Sequence, residues 1–363
     1  MNKRICENIS AFHPGYYISD IIDEMEITQL EFAKRLNITP KNLSDLINGK
    51  ASISNNIAKN LSLMLGTSVD VWLNLQKTYD EKVIEIEKLE AERKEQEVFK
   101  IIDYTFFEKL GLVKATRNQQ EKVIELLRCL KIATFDVLKK HDFLVQFRQG
   151  AEDYHNEKQI VNANAWVQTA INIGNEIETE KFDEKKLKFF LSEMRQMAKM
   201  NTLDFLPRLK KKLSECGVAL VVIPSLKNSN VYGAIKWINH DKVILGITNR
   251  GIVSDKFWFS FFHEIGHILQ KKIKNIFITS DHENCEDEME KDADEFARNV
   301  LIPPDKLYDF VSVNNFSKKS VELFAEKIDT HPGIVVGRLQ KEGYIPFANL
   351  NGLKVKYTKL RNC

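Results

Sequence analysis

Residues 257–269 read Phe257-Trp-Phe-Ser-Phe-Phe-His263-Glu264-Ile-Gly-His267-Ile-Leu. On a helix, His263 and His267 lie one turn apart on the same face. Two imidazoles at that spacing can share one metal ion, and Glu264 between them can act on a water held there. The surrounding Phe257, Trp258, Phe259, Phe261, Phe262, Ile265, Ile268 and Leu269 leave the helix no polar side, which predicts burial. Burying two histidines and a carboxylate costs several kcal/mol unless something satisfies them, and a metal would. The competing reading is a pair of core histidines with backbone partners.

A third ligand separates the two readings. Downstream, Asp281-His-Glu-Asn-Cys-Glu286-Asp-Glu-Met-Glu290-Lys-Asp-Ala293-Asp294-Glu-Phe296-Ala297-Arg-Asn-Val300-Leu301 ends at Pro303-Pro304. Its second half is an amphipathic helix with Met289, Ala293, Phe296, Ala297, Val300 and Leu301 inward. Glu290 lies along that buried stripe, whereas Glu288 is on the solvated side. Glu286 and Asp294 flank the stripe, and helical geometry alone leaves them open as ligands. Cys285 is read as a bystander. Two histidines plus one glutamate leave a fourth position open, the arrangement of a catalytic zinc site.

His263-Glu264-Ile-Gly-His267 followed by Glu290-Lys-Asp-Ala293-Asp294-Glu-Phe296-Ala297 and an aliphatic run ending in proline resembles the ImmA/IrrE metallopeptidases. The resemblance spans roughly residues 217 to 345. It implies His263, His267 and Glu290 as metal ligands and Glu264 as general base. It also implies Zn2+ as cofactor, with another divalent metal able to serve, and a zincin-like fold.

The elements that position this site belong to a chain of 363 residues, long enough for two or three domains. Hydrophobic residues make up 43% and charged residues 29%, an ordinary globular composition. A net charge of +2 gives no global field for nucleic acid or membranes. No apolar run approaches the roughly 20 residues of a membrane helix. The opening Met1-Asn-Lys-Arg-Ile-Cys-Glu lacks the apolar segment of a signal peptide. Cys6, Cys129, Cys216, Cys285 and Cys363 are scattered and odd in number, as expected of free thiols in a reducing cytoplasm.

Residues 13 to 76 read as five short helices. Thr28-Gln-Leu-Glu31 is a capping box, and Thr39-Pro40 supplies an N-cap and a first-turn proline for the next helix. Helix, tight turn, second helix is the arrangement in which the second helix enters the major groove. Lys41, Asn42, Ser44 and Asp45 are polar groups suited to base edges. Lys34, Arg35 and Lys50 suit phosphates, and Gln29 and Thr39 at the helix starts complete the candidate DNA-binding set. Residues 1 to 76 nevertheless hold seven Lys/Arg and eight Asp/Glu, net 7 − 8 = −1. DNA-binding domains are usually more basic, so plain helical packing with a solvated face is the rival.

His13-Pro-Gly, Thr28-Gln-Leu-Glu-Phe-Ala-Lys-Arg-Leu, Leu46-Ile-Asn-Gly-Lys and Trp72-Leu-Asn-Leu-Gln resemble the HigA-type antitoxins of the Cro/CI repressor class. The resemblance implies a homodimer on an inverted-repeat operator, autoregulation and a toxin partner. Antitoxins of this type stop near the fifth helix, whereas this chain continues for nearly 290 residues. That length speaks against carrying the toxin over.

The expected architecture is mostly α with a small β-sheet (α+β): an N-terminal all-α helix-turn-helix domain and a C-terminal zincin-like metallopeptidase domain. Segments are drawn at 1–78 (DNA-binding domain), 79–100 (charged helical linker), 101–215 (helical domain) and 216–363 (peptidase domain with a C-terminal helix pair). Within 101–215, Phe147-Arg148 and Trp166 stand out, and packing accounts for them. Val218 to Ile223, Gly233 to Ile238 and Lys242 to Ile247 read as three strands, whose edge an extended peptide could join. Phe324-Ala-Glu-Lys-Ile-Asp-Thr-His331-Pro332 echoes Phe32-Ala-Lys-Arg-Leu-Asn-Ile-Thr-Pro40 as a structural helix pair. His331 is added to the catalytic set as a transition-state donor.

The leading expectation is a cytoplasmic, DNA-binding transcriptional regulator whose zinc peptidase domain cleaves a protein partner. The alternative is an antitoxin-like autorepressor whose peptidase-like part is a non-catalytic sensor or toxin-binding module. A second rival is a protease whose N-terminal helices only dock partners.

Overall fold

The computed structural model describes residues 3–6, 8–140, 156–248, 253–270, 277–280 and 288–357. The chain forms two compact units, Met1–Glu97 and Val98–Cys363.

The first unit opens with an antiparallel hairpin, β1 (Lys3–Cys6) and β2 (Ile9–Phe12), in register Lys3↔Phe12 to Cys6↔Ile9. This hairpin adds two strands to the all-helical N-terminal domain expected, because four-residue strands carry too little period-two signal to read. Five helices follow: α1 (Pro14–Glu24), α2 (Gln29–Arg35), α3 (Pro40–Ile47), α4 (Asn55–Leu65) and α5 (Val69–Phe99). Each of the first four begins at a side-chain cap. His13 Nδ1 accepts from the Gly15 N–H (3.0 Å), Thr28 Oγ1 from Glu31 (3.2 Å), Thr39 Oγ1 from Asn42 (3.1 Å) and Ser54 Oγ from Ile57 (3.3 Å). Ile18, Phe32, Leu43, Leu46, Ala58, Leu61 and Trp72 form the core beneath them. The fifth helix and the charged linker are one uninterrupted helix of 31 residues. Its exposed i,i+4 pairs, such as Arg93–Glu97 at 3.4 Å, each add little.

The second unit continues with α6 (Tyr104–Lys109), α7 (Gln119–Leu130), α8 (Glu157–Asn175), α9 (Glu184–Gln196) and α10 (Thr202–Ser214). Strands β3 (Val218–Ile223), β4 (Val231–Asn239) and β5 (Lys242–Thr248) lead into α11 (Ser254–Gln270), then β6 (Phe277–Ser280) and α12 (Glu288–Leu301). Helices α13 (Pro304–Ser312), α14 (Lys318–Lys327) and α15 (Pro332–Lys341) complete it. The sheet order is β3-β5-β4-β6, with β3 parallel to β5 and β4 antiparallel to both its neighbours. The three expected strands are present. The fourth, β6, is four residues set among lysines and acids, and only its pairing with β4 reveals it.

Every residue of β3 is buried, because alternate residues serve two cores. Ala219, Val221 and Ile223 face a cluster containing Trp166 and Ala170 of α8. Val218, Leu220 and Val222 face another containing Phe205 of α10 and Phe261 of α11. Both clusters run across the boundary at 215/216 drawn from sequence, so helices from its two sides enclose one sheet.

The α14–turn–α15 pair repeats the backbone of α2–turn–α3. Asp329 (φ 57°) stands in its turn where Asn37 (φ 59°) stands in the first. Gly333, Ile334, Val335, Val336, Leu339 and Gln340 of α15 are buried, so that helix presents no free reading face. Among the described residues no helix is long and apolar enough to cross a membrane.

His13 generates a pH prediction. Its buried ring sits edge-on to Tyr79 at 4.8 Å. Burial holds its pKa below the ordinary value, against opposing pulls from Asp80 and the Ala51 carbonyl. The unfolded chain therefore binds the proton more readily, so His13's contribution is complete above about pH 6.5 and declines as pH falls below it. His13→Ala should cost about 1–2 kcal/mol, and His13→Asn, which still caps, should remove most of the acid sensitivity. Urea titrations at pH 5.0 and 7.5 with amide exchange at α1 measure both effects.

Candidate metal centre

Helix α11 is apolar on nearly every side: Trp258, Phe261, Phe262, Ile265 and Ile268 are fully buried. His263, Glu264 and His267 are buried within the same helix. Helix α12 runs against it, made possible by Gly266. A β-carbon there would come 3.1 Å from Phe296 and 3.2 Å from the Ala293 backbone. This close approach carries Glu290 to the histidines.

The three side chains converge on one point. His263 Nε2 is 3.0 Å from His267 Nε2 and 3.0 Å from Glu290 Oε2, and His267 Nε2 is 3.3 Å from Glu290 Oε1. Zn–N and Zn–O bonds of about 2.0–2.1 Å in a tetrahedron separate donor atoms by about 3.3 Å. The spacing therefore fits a small divalent cation. The outer ring nitrogens strengthen that fit. His263 Nδ1 is 2.8 Å from Asp294 Oδ1, and His267 Nδ1 is 3.1 Å from Gln270 Oε1. Gln270 is oriented by donating from Nε2 to the Met289 carbonyl at 2.8 Å. These acceptors call for the proton on each Nδ1, which turns both Nε2 lone pairs toward each other and toward a carboxylate. Three electron-rich atoms at this distance require a proton or a cation between them.

Without a cation, the proton goes to His263. Burial opposes its charge, but hydrogen bonds to Asp294 and Glu290 outweigh that and push its pKa up to about 10. Burial likewise opposes ionising Glu290, yet the two histidines hold its carboxyl well below the usual carboxylate range.

Of the acids left open as ligands, Glu290 occupies the cluster. Asp294 stands one turn on, behind His263, and orients it. Gln270 has the matching role for His267 and went unread in the sequence, although its i+3 position on the same helix was the available signal. Glu286 and Cys285 lie outside the described residues, as do Phe147 and Arg148. His331, the proposed transition-state donor, is the N-cap of α15. Its Nδ1 accepts from the Gly333 N–H at 3.0 Å, which leaves the ring proton on Nε2, and among the described residues the group that could share a metal is His263, His267 and Glu290.

In the first unit, Lys41 and Asn42 are exposed on the first turn of α3, with Ser44 and Asp45 half-buried behind them. Thr39 is occupied as the cap, and Ser44 receives the Asn48 amide through its carbonyl (2.8 Å) and Oγ (3.3 Å). Gln29, Lys34 and Lys50 are exposed around this pair of helices, and Arg35 pairs with Glu31.

A capped helix-turn-helix in one unit and a buried histidine–histidine–glutamate cluster in the other define the class: a DNA-binding regulator joined to a metallopeptidase-type domain. Residues 18–72 match the helix-turn-helix family, and residues 220–319 match the IrrE N-terminal-like domain. The chain belongs, through its first unit, to the helix-turn-helix transcriptional regulators, and it carries an IrrE/ImmA-like domain in the second. It is 35% identical over 80 residues to the uncharacterized HTH-type transcriptional regulator YddM of Escherichia coli K12, covering 21% of this chain and 85% of that protein. It is 42% identical over 69 residues to virulence-associated protein A′ of Dichelobacter nodosus, covering 19% of this chain and 60% of that protein. Among solved structures, a putative antidote protein of a plasmid maintenance system from Nostoc punctiforme is 36% identical. That match covers 23% of this chain and 92% of that one, with a TM-score of 0.22. A HigA-family addiction module antidote protein from Coxiella burnetii is 28% identical with the same coverages and a TM-score of 0.21.

One divalent cation per chain is the expected stoichiometry, lost in His263→Ala and retained in Glu288→Ala. Asp294→Ala should weaken affinity about 10–100-fold by freeing the His263 ring. Because His263 holds a proton in the metal-free site, uptake at pH 7 should release it, and affinity should rise with pH toward about 10. Calorimetry in buffers of different ionisation enthalpy counts that proton.

Proposed function

We propose that this chain is a cytoplasmic transcriptional regulator that binds an inverted-repeat operator as a homodimer through α2 and α3. In the same reading, its second unit cleaves a protein partner. The observation that carries the second part is the convergence of His263 and His267 of α11 with Glu290 of α12, beside the buried Glu264. His263, His267 and Glu290 would hold the metal, zinc before other divalent ions. Bound there, the metal would supply Lewis-acid polarisation of a scissile carbonyl.

The chain's own residues account for the rest. Glu264 follows His263 directly, so its carboxylate projects beside the ligand face and is available to take a proton and return it to the leaving amine. Asp294 and Gln270 hold the imidazoles in one orientation. Phe259 lies beside His263 with ring centroids 6.2 Å apart, and His263 and His267 are themselves buried, which restricts water around them. His331, whose Nδ1 caps α15, keeps the proton on Nε2 and stays in the scheme as the transition-state donor.

A second reading is favoured by the kinship of the first unit with antidote proteins. In it the chain is an autorepressor of a toxin-antitoxin pair, and the second unit senses a signal or holds the toxin without turnover. Glu264 separates the readings, since a sensor has no use for that carboxylate. Glu264→Gln should leave metal and fold intact and reduce turnover by at least about 10²–10⁴-fold, the usual contribution of a general base. Partner half-life and operator occupancy measured in parallel in cells test this. Unchanged turnover with normal repression would leave the autorepressor reading standing.

Operator binding has its own test. In a gel-shift series across the chain's own promoter, Lys34→Ala should reduce the salt slope by about one and weaken all sequences alike. Asn42→Ala should cost about 1–3 kcal/mol and relax preference at one base. Absence of binding even at low salt would reduce the first unit to a protein-docking module.

A further inference from the structure

Glu264 is fully buried, and what it lies against is strand β4. A β-carbon added to Gly233 would stand 2.2 Å from Glu264 Oε1, 2.6 Å from Cδ and 3.0 Å from Cγ. No side chain can share that space. The strand is also irregular at this point. Gly233 pairs with Ile247 of β5 and Thr279 of β6, but the register with β6 slips between Val231 and Gly233. Such slips re-aim side chains and recur beside active sites. A glycine in the interior of a four-stranded sheet weakens the strand, so its placement opposite the one buried carboxylate of α11's histidine turn calls for a reason.

We propose that Gly233 is a positioning residue: the absent side chain is the seat of the Glu264 carboxylate. The inference rests on the peptidase reading for its consequence, but not for its geometry. A methyl group at 233 meets the far end of a long side chain rather than backbone, so the fold can yield by moving the carboxylate about 1 Å. A shift of that size is enough to cost a reaction about 10²-fold. The three atoms nearest that methyl all belong to Glu264, so metal binding should be spared.

The test is a double-mutant cycle on the full chain. Gly233→Ala should lower the unfolding midpoint by about 2–4 °C in the wild-type background and equally in Glu264→Gln, which keeps the same bulk. In Glu264→Ala, where the space is vacated, it should lower it little or not at all. Bound zinc should stay at the wild-type stoichiometry throughout. Against the protein trapped by Glu264→Gln, Gly233→Ala should lower kcat about 10²-fold with KM within about twofold. Glu264→Asp, one methylene shorter, should recover part of that loss in the Gly233→Ala background while being harmful alone.

Additive midpoints, or zinc lost on Gly233→Ala, would overturn the proposal. So would a Gly233→Ala/Glu264→Ala double variant that fails to fold. A coupled cycle in a chain that cleaves nothing would uphold the seat and retire the peptidase reading instead.

Discussion

Two imidazoles of an almost wholly apolar helix meet the carboxylate of Glu290 from the buried stripe of a second helix, and most of the second unit is arranged to make that tolerable. Buried polar groups survive only when each is satisfied. Here the satisfaction is layered: Nε2 atoms and Glu290 meet at the centre, Asp294 and Gln270 fix the outer nitrogens, and the Met289 carbonyl fixes Gln270. Each layer depends on α11 and α12 approaching closely at Gly266. Remove that approach and the carboxylate of Glu290 no longer reaches the histidines.

The far end of α11 is anchored with equal care. Lys354 donates to Asp255 at 2.6 Å and to Gln340 at 2.7 Å, with both charged groups mostly buried. Gln340 in turn donates to the carbonyls of Phe347 and Asn349. The Ser254 N–H donates to Val355 O, and Trp258 Nε1 donates to the Tyr357 hydroxyl at 2.9 Å. A buried ion pair is weak support for stability on its own because desolvation offsets the attraction. Its value here is geometric: it ties residues 340–357 to the first turn of α11 and leaves the histidine turn nothing to do but face Glu290 and β4.

The same capping chemistry recurs in both units. His13-Pro14-Gly15 and His331-Pro332-Gly333 both use imidazole Nδ1 to receive the N–H two residues on, and both start a helix with proline. The first unit spends its remaining polar residues differently, on the exposed first turn of α3, where Lys41 and Asn42 face outward over a core of Leu43, Leu46 and Phe32.

Local chemistry determined much of this from sequence alone. Caps at Thr28 and Thr39, the proline stops and the 3.6-residue spacing placed α2, α3, α11 and α12, since these signals act within one turn of chain. The pairing of His263 with His267, and Glu290 on the buried stripe, followed from the same periodicity. What the sequence left open, the tertiary structure decided. Whether Glu286, Glu290 or Asp294 joined the histidines depended on the crossing of two helices, which no spacing within α12 encodes. The β1–β2 hairpin and β6 exist through pairing partners, their four residues being too few for a pattern. The cap that His331 makes was equally hidden, because it exists only once α15 turns the Gly333 N–H toward Nδ1. Gly233 is silent in sequence for the deepest reason: a missing side chain has meaning only when another residue, here Glu264 from a helix further along the chain, occupies the space.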